Sequence, residues 1–324
     1  MNKTIGSLVV ATSAAGALTL ITLAAASSAS AAVTQAPSGT QVDDNWAGYY
    51  AVPANGQGPE AVFASFTVPK VDCKRSIGPN PSYGAIWAGI GGMGNFGDVR
   101  NGKQAWLEQD GIEITCKTRG SQPVYYPFWE IVRPHGINDP YGNPYDSKIF
   151  QADGHDATVK AGDKITLKIF DNSYQKVKVF GLDIEVSQDS GDPVEYFKQV
   201  FLPPTAYTGR TAEVITEHPS GPSTLQGDLA AAWLHKNILG TKAPPAGLVD
   251  MGEVRYSGAA YLTHLPGDVK PEGVAITQYR SVLDTWLETN PYHQQHVFIY
   301  PGRAYPTIPG STVKDGFSTH YYIP

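Results

Sequence analysis

Between closely spaced glycines and prolines, the apolar residues of this chain recur at every second position. Val62, Ala64, Phe66 and Val68 alternate with their neighbours before Pro69. Ile165, Leu167 and Ile169 alternate with Thr166 and Lys168, and Leu182, Ile184 and Val186 with Asp183 and Glu185. A period of two sends successive side chains to opposite faces of an extended strand, one face buried and the other wet. The 34 glycines and 25 prolines cut these runs into short pieces bounded by turns. Many short, half-buried strands of this kind predict an antiparallel β-sandwich or barrel, and there is no strand–helix alternation to build a parallel sheet. One exception is Asp228 to Leu239, "DLAAAWLHKNIL", whose Asp start, alanine content and Gly240 stop predict a short peripheral helix. With no internal repeat and no break in composition, residues 43–324 read as one domain preceded by a flexible lead over 32–42.

The first 31 residues carry one charge, Lys3, then a long Ala/Leu/Val/Ile run, then Ala29-Ser30-Ala31. This is the layout of a secretory signal peptide with an A-x-A cleavage site, so the mature protein is expected outside the cell. A retained membrane anchor is the competing reading, but a polar chain follows the cleavage pattern and no later stretch is apolar enough to span a bilayer. The formal charge of −6 becomes one unit more negative without Lys3, which argues against nucleic acid or an anionic membrane as partner. A monomer is expected. The only cysteines, Cys73 and Cys116, are expected to pair in an oxidising compartment, closing a loop of about 40 residues worth ~3–4 kcal/mol.

Several chemistries fail on their motifs. There is no Gly-x-Ser-x-Gly elbow for a serine hydrolase. Asp189-Ser190-Gly191 occurs once, in a hydrophilic run, whereas aspartic peptidase chemistry needs two aspartates sharing a proton. His293 and His296 in "HQQH" lack a nearby third ligand for zinc. "GIGGMGNFG", Gly89 to Gly97, has no helix after it and reads as a loop rather than a phosphate cradle. Neither a metal nor a cofactor is expected.

"AWLEQDGIEIT", Ala105 to Thr115, offers two better readings. Glu108, Asp110 and Glu113 form E-x-D-x-x-E, which resembles the strand-borne carboxylates of laminarinase-like glycoside hydrolases, where carboxyl groups ~5 Å apart serve as acid and nucleophile. Gln109 stands where that pattern wants an apolar residue, and Gly111 weakens a strand. On the other face of such a strand lie Ala105, Leu107, Gln109, Gly111 and Glu113. There Gln109 is an amide among small and apolar neighbours, able to donate hydrogen bonds to an oxyanion without changing charge. A base for that donor is available in "TAEVITEHP", Thr211 to Pro219, where Glu213, Ile215 and Glu217 share one strand face.

With these blocks in view, the chain resembles the glutamic peptidases called eqolisins, including their secreted bacterial members. The resemblance runs through "NWAGYY" (Asn45 to Tyr50), "FTVPKV" (Phe66 to Val71), "IWAGIGG" (Ile86 to Gly92), "LEQDGIE" (Leu107 to Glu113) and "YYPFWEIVRP" (Tyr125 to Pro134). It continues through "AGDKITLKI" (Ala161 to Ile169), "AEVITEHP" and "LVDMGEVRY" (Leu248 to Tyr256), in the family's order. It implies an all-β, concanavalin-like antiparallel sandwich of two large sheets whose concave face holds a peptide. It assigns catalysis to Gln109 and Glu217, and it places Trp46, Trp87 and Glu113 at the substrate cleft. The implied enzyme is an endopeptidase active at acid pH.

Two departures stand out. The family's acid is missing at Gly91, and Phe128-Trp129 replaces Trp-Tyr. Trp129 itself reads as a core aromatic, and Glu130 and Glu213 as structural hydrogen-bond acceptors. A lectin-like carbohydrate-binding module on the same sandwich is the reading from a different functional class.

Overall fold

Alternation in the sequence becomes alternation in burial. Along Ala61–Thr67, Val62, Ala64 and Phe66 are buried, Phe63 and Ser65 are half-buried, and Thr67 is exposed. The computed structural model of the chain describes residues 40–43, 46–53, 58–92, 106–132, 145–149, 159–171, 178–188, 192–202, 209–219, 247–263, 272–276, 278–290, 293–309 and 311–322. All of them fall within one compact unit, Gln35–Pro324. The expected signal peptide and the helix expected over 228–239 lie outside the described residues. Among those residues, no helix is long and apolar enough to cross a membrane.

Numbered along the chain, the strands of the first sheet are β1 (Thr40–Asp43), β2 (Trp46–Ala51), β4 (Ser82–Ile90), β5 (Leu107–Cys116), β6 (Val124–Val132), β7 (Tyr145–Ile149), β11 (Ala212–Glu217), β12 (Gly247–Leu248), β15 (Tyr279–Asn290) and β16 (His293–Pro301). Their antiparallel order is β7-β6-β5-β4-β11-β2-β15, with β1 and β12 added in parallel to β15 and β4. Thr40–Asp43, at the end of the expected lead, thus pairs with Arg280–Leu283.

The second sheet comprises β3 (Ala61–Thr67), β8 (Lys164–Asp171), β9 (Lys178–Ser187), β10 (Val194–Leu202), β13 (Glu253–Thr263), β14 (Glu272–Ala275) and β17 (Phe317–Tyr322). It runs antiparallel in the order β10-β9-β8-β3-β13, with β14 and β17 paired to β13. Strand β17 also pairs with β16, which pairs with β15, and so joins the sheets at one edge. The result is the expected all-β sandwich.

Ile86, Ile112 and Ile114 of the first sheet and Ile165, Leu167, Ile169, Leu182 and Ile184 of the second fill the space between the layers, none of them accessible to solvent. The expected disulfide is formed, Cys73 to Cys116 with Cα atoms 5.6 Å apart, and it ties the end of β5 to the turn Cys73–Arg75 that precedes β4.

Candidate active site

The first sheet has a second buried layer on the face turned away from the core. Ala85, Trp87, Leu107, Phe128 and Ile215 form a small apolar cluster there, with Trp46 and Val132 packed against it. These residues alternate in sequence with the core-facing ones, which is why β4 and β5 are buried along their whole length.

The strand register arranges this face in rows. Glu217, Ala85 and Glu113 stand side by side on β11, β4 and β5. Ile215, Trp87, Gly111 and Phe128 form the next row, and Glu213, Gly89, Gln109 and Glu130 the one after it. All the residues expected at the site therefore share one face. Gln109 and Glu217 lie on its diagonal, two strands and two rows apart, with Trp87 between them.

Trp87 touches one of the two directly. Its ring is inaccessible to solvent, and its indole Nε1 donates to Glu217 Oε2 at 2.5 Å. Trp46 meets it edge to face, with ring centroids 5.0 Å apart. Space for the indole comes from two glycines. A Cβ on Gly111 would lie 2.2 Å from the Ile86 carbonyl oxygen and 2.7 Å from Trp87 Cβ, and one on Gly89 would lie 2.7 Å from the indole ring. The glycine that weakens β5 in a sequence reading is thus required by its cross-strand neighbour.

Gln109 is 3% exposed, and its Nε2 donates to the carboxyl group of Glu130, its direct cross-strand partner. Sequence reading assigned Glu130 only a structural acceptor role. Its Glu-x-x-Arg-Pro surroundings carry no catalytic signal, and only the pairing of β5 with β6 brings it to the amide. Glu130 is half-buried, and its carboxyl group is pushed up to about 8, by burial first and then by the negative charge of Glu217; the Gln109 hydrogen bond opposes this and Glu113 adds to it. Glu113 is buried on the same face and accepts from Thr115 Oγ1 at 3.3 Å. Four side chains, Gln109, Glu113, Glu130 and Glu217, are thereby gathered around Trp87.

The two glutamates of β11 differ in access. Glu213 is inaccessible to solvent, whereas Glu217 is half-buried at the strand end. Beneath Glu217, on the core side, Thr216 Oγ1 lies 2.6 Å from Tyr256 OH and 2.7 Å from Thr319 Oγ1, so three hydroxyls pin β11 to the second sheet.

The alternative carboxylate set is not assembled. Pairing of β4 with β5 runs without interruption from Ser82–Cys116 to Ile90–Glu108, so Glu108 and Asp110 point into the core while Glu113 points to the opposite face. Asp110 is inaccessible to solvent and accepts from the backbone N–H of Asp183 at 2.9 Å; burial holds its carboxyl group well above the ordinary carboxylate range. These acids cannot act together on one sugar.

Trp129 lies in the core, as its sequence reading expects, and Phe128 forms part of the site floor. Gly91, where the family's acid is missing, has φ +88°, and a Cβ there would lie 2.2 Å from the Trp106 carbonyl oxygen and 2.9 Å from Gly209 Cα. The side chains of His293 and His296 are outside the described residues. Residues 44–297 match the model of the Peptidase A4 family. No curated protein matches the chain.

Proposed function

The chain belongs to the Peptidase A4 family, the glutamic peptidases, and from that premise we propose that it is a secreted, monomeric endopeptidase that cleaves polypeptides at acid pH with Gln109 and Glu217. Glu217 as a carboxylate takes a proton from a water that attacks the scissile carbonyl. Gln109 donates an amide N–H to the oxygen as it becomes negative. Glu217, now protonated, returns the proton to the leaving amine. The mechanism asks only for a base, a neutral donor and a bound water.

The observation that carries this reading is that Gln109 and Glu217, from separate strands, lie on one face on either side of Trp87, whose indole donates to Glu217. Glu217 is favoured over Glu213 because only Glu217 keeps surface through which water and peptide can reach its carboxylate. Trp46, Phe128 and Glu113 supply the surrounding wall.

The test is cleavage of a denatured protein by the mature chain from strongly acid to mildly alkaline pH, with pepstatin and a chelator present. Activity at acid pH that survives both inhibitors and disappears in Gln109→Ala and in Glu217→Gln is expected. Activity that persists in either folded variant rejects the dyad.

A further inference from the structure

The reaction just described uses one of the three glutamate carboxyl groups gathered around Trp87, and the one that touches the dyad most directly, Glu130, has no part in it. Gln109 and Glu130 are paired across β5 and β6, and the amide Nε2 donates to Glu130 Oε2. The other end of the amide, Oε1, is buried with no hydrogen-bond partner among the described residues. Glu130 is therefore the hydrogen-bonding anchor of the Gln109 side chain. A carboxamide nitrogen has two N–H groups, so engaging one fixes the direction of the other.

We propose that Glu130 is a positioning residue for peptide hydrolysis: as a neutral acid it accepts one N–H of Gln109 and aims the second at the carbonyl oxygen of the bound peptide. This rests on the assignment of Gln109 and Glu217 made above. Neutrality is what the surroundings enforce. Among the described residues, the charged groups that act on Glu130 are Glu217 from β11 and Glu113 from β5, both negative, and Gln109 facing it is uncharged. With burial added, its carboxyl group keeps its proton up to about 8. An ionised Glu130 would place a full negative charge in contact with the nitrogen that must stabilise a second one, and oxyanion binding would fail. The same neutral carboxyl leaves Glu217 as the single ionised member of the neighbouring pair, the arrangement that keeps a base and a proton in one site.

The experiment measures kcat and KM against pH for the mature chain and for Glu130→Ala and Glu130→Gln, with thermal melts to establish folding. Loss of the anchor in Glu130→Ala is expected to lower kcat about a hundredfold with KM nearly unchanged. Glu130→Gln, which still accepts and never ionises, is expected to recover most of the wild-type kcat at acid pH. A folded Glu130→Ala with undiminished kcat overturns the proposal. So does a folded Glu130→Gln whose kcat at acid pH is no higher than that of Glu130→Ala.

A readout that needs no activity is carboxyl NMR of chain carrying ¹³C-labelled glutamate. A resonance titrating near 8 that is absent from Glu130→Gln is expected, and its absence from the wild type also overturns the proposal. Activity persisting in folded Gln109→Ala or Glu217→Gln would instead bring down the dyad, with the NMR titration still reporting on Glu130 by itself.

Discussion

The indole of Trp87 and the carboxylate of Glu217 are joined by a hydrogen bond of 2.5 Å, with the donor sealed from solvent and the acceptor at the edge of it. A bulky ring held on all sides is a rigid mount, so the bond fixes the carboxylate in direction at the half-buried end of β11. A donor to the charged form also favours ionisation, which is the state a base needs.

Trp87→Phe keeps an aromatic ring on the floor and removes this donor. Its kcat is expected to fall about tenfold, with the acidic limb of the pH–rate profile moved to higher pH because ionised Glu217 loses support. The profile of the purified variant beside wild type decides the matter; an unmoved acidic limb would mean that the bond does not tune the base.

Restoring the family's acid with Gly91→Asp is expected to damage the protein rather than improve it. The residue sits in the left-handed region at φ +88°, and its backbone passes so close to Trp106 and Gly209 that no side chain fits. The Gly91 N–H also donates to the Thr211 carbonyl at 2.9 Å, tying this loop to the start of β11. A loss on the order of 2–4 kcal/mol in denaturant unfolding is expected, together with reduced activity. Wild-type stability in this variant would show that the two loops separate at little cost.

The two glutamates of β11 separate base from scaffold. Glu217→Gln is expected to erase cleavage while melting near the wild-type temperature. Glu213→Gln, at a position without solvent access, is expected to act mainly on stability and to leave the shape of the pH profile intact. Equal loss of kcat in two folded variants would assign Glu213 a place in the chemistry.

Much of this arrangement is legible in the sequence because strand alternation is a strict rule. Gln109, Gly111 and Glu113 share a face, and so do Glu213, Ile215 and Glu217, on local spacing alone. Alternation orients each strand separately and says nothing about register. That Gln109 aligns with Glu213 across Gly89, while Glu217 lies on the diagonal behind Trp87, follows from pairings between residues far apart in the chain. That Glu130 accepts from Gln109 follows in the same way, from the pairing of β5 with β6. β5 misleads in a further way: its polar residues Glu108 and Asp110 face the core, so an apolar/polar count along Leu107–Cys116 does not identify the inward side. Gly111 reads as a weak point until its neighbour Trp87 is known.

The buried acids of β5 and β9 make stability depend on pH. Burial raises Asp110, which faces the second sheet, and it raises Asp183 from 3.8 to about 6 against the opposing pull of Lys168, with Glu195 adding to the rise. A carboxyl group raised in the folded state binds its proton there more tightly than in the unfolded chain, so the folded form holds more protons and stability must fall as pH increases. The contribution is complete below about 3.8, the ordinary aspartate value, and for Asp183 it is lost by about 6. Glu130 extends the decline, from 4.5 to about 8. Lys168, raised by the Asp183 and Glu185 carboxylates against the opposing effect of its own burial, stays charged throughout this window and does not reverse the trend. Melting temperature is therefore expected to be highest near pH 4 and to drop toward pH 8. Asp110→Asn keeps an acceptor for the Asp183 N–H and cannot ionise, so its melting temperature should vary less over the same range. Calorimetry of both proteins across that range is the check, and a wild type that grows more stable toward neutrality would show that these carboxyl groups find partners as ions.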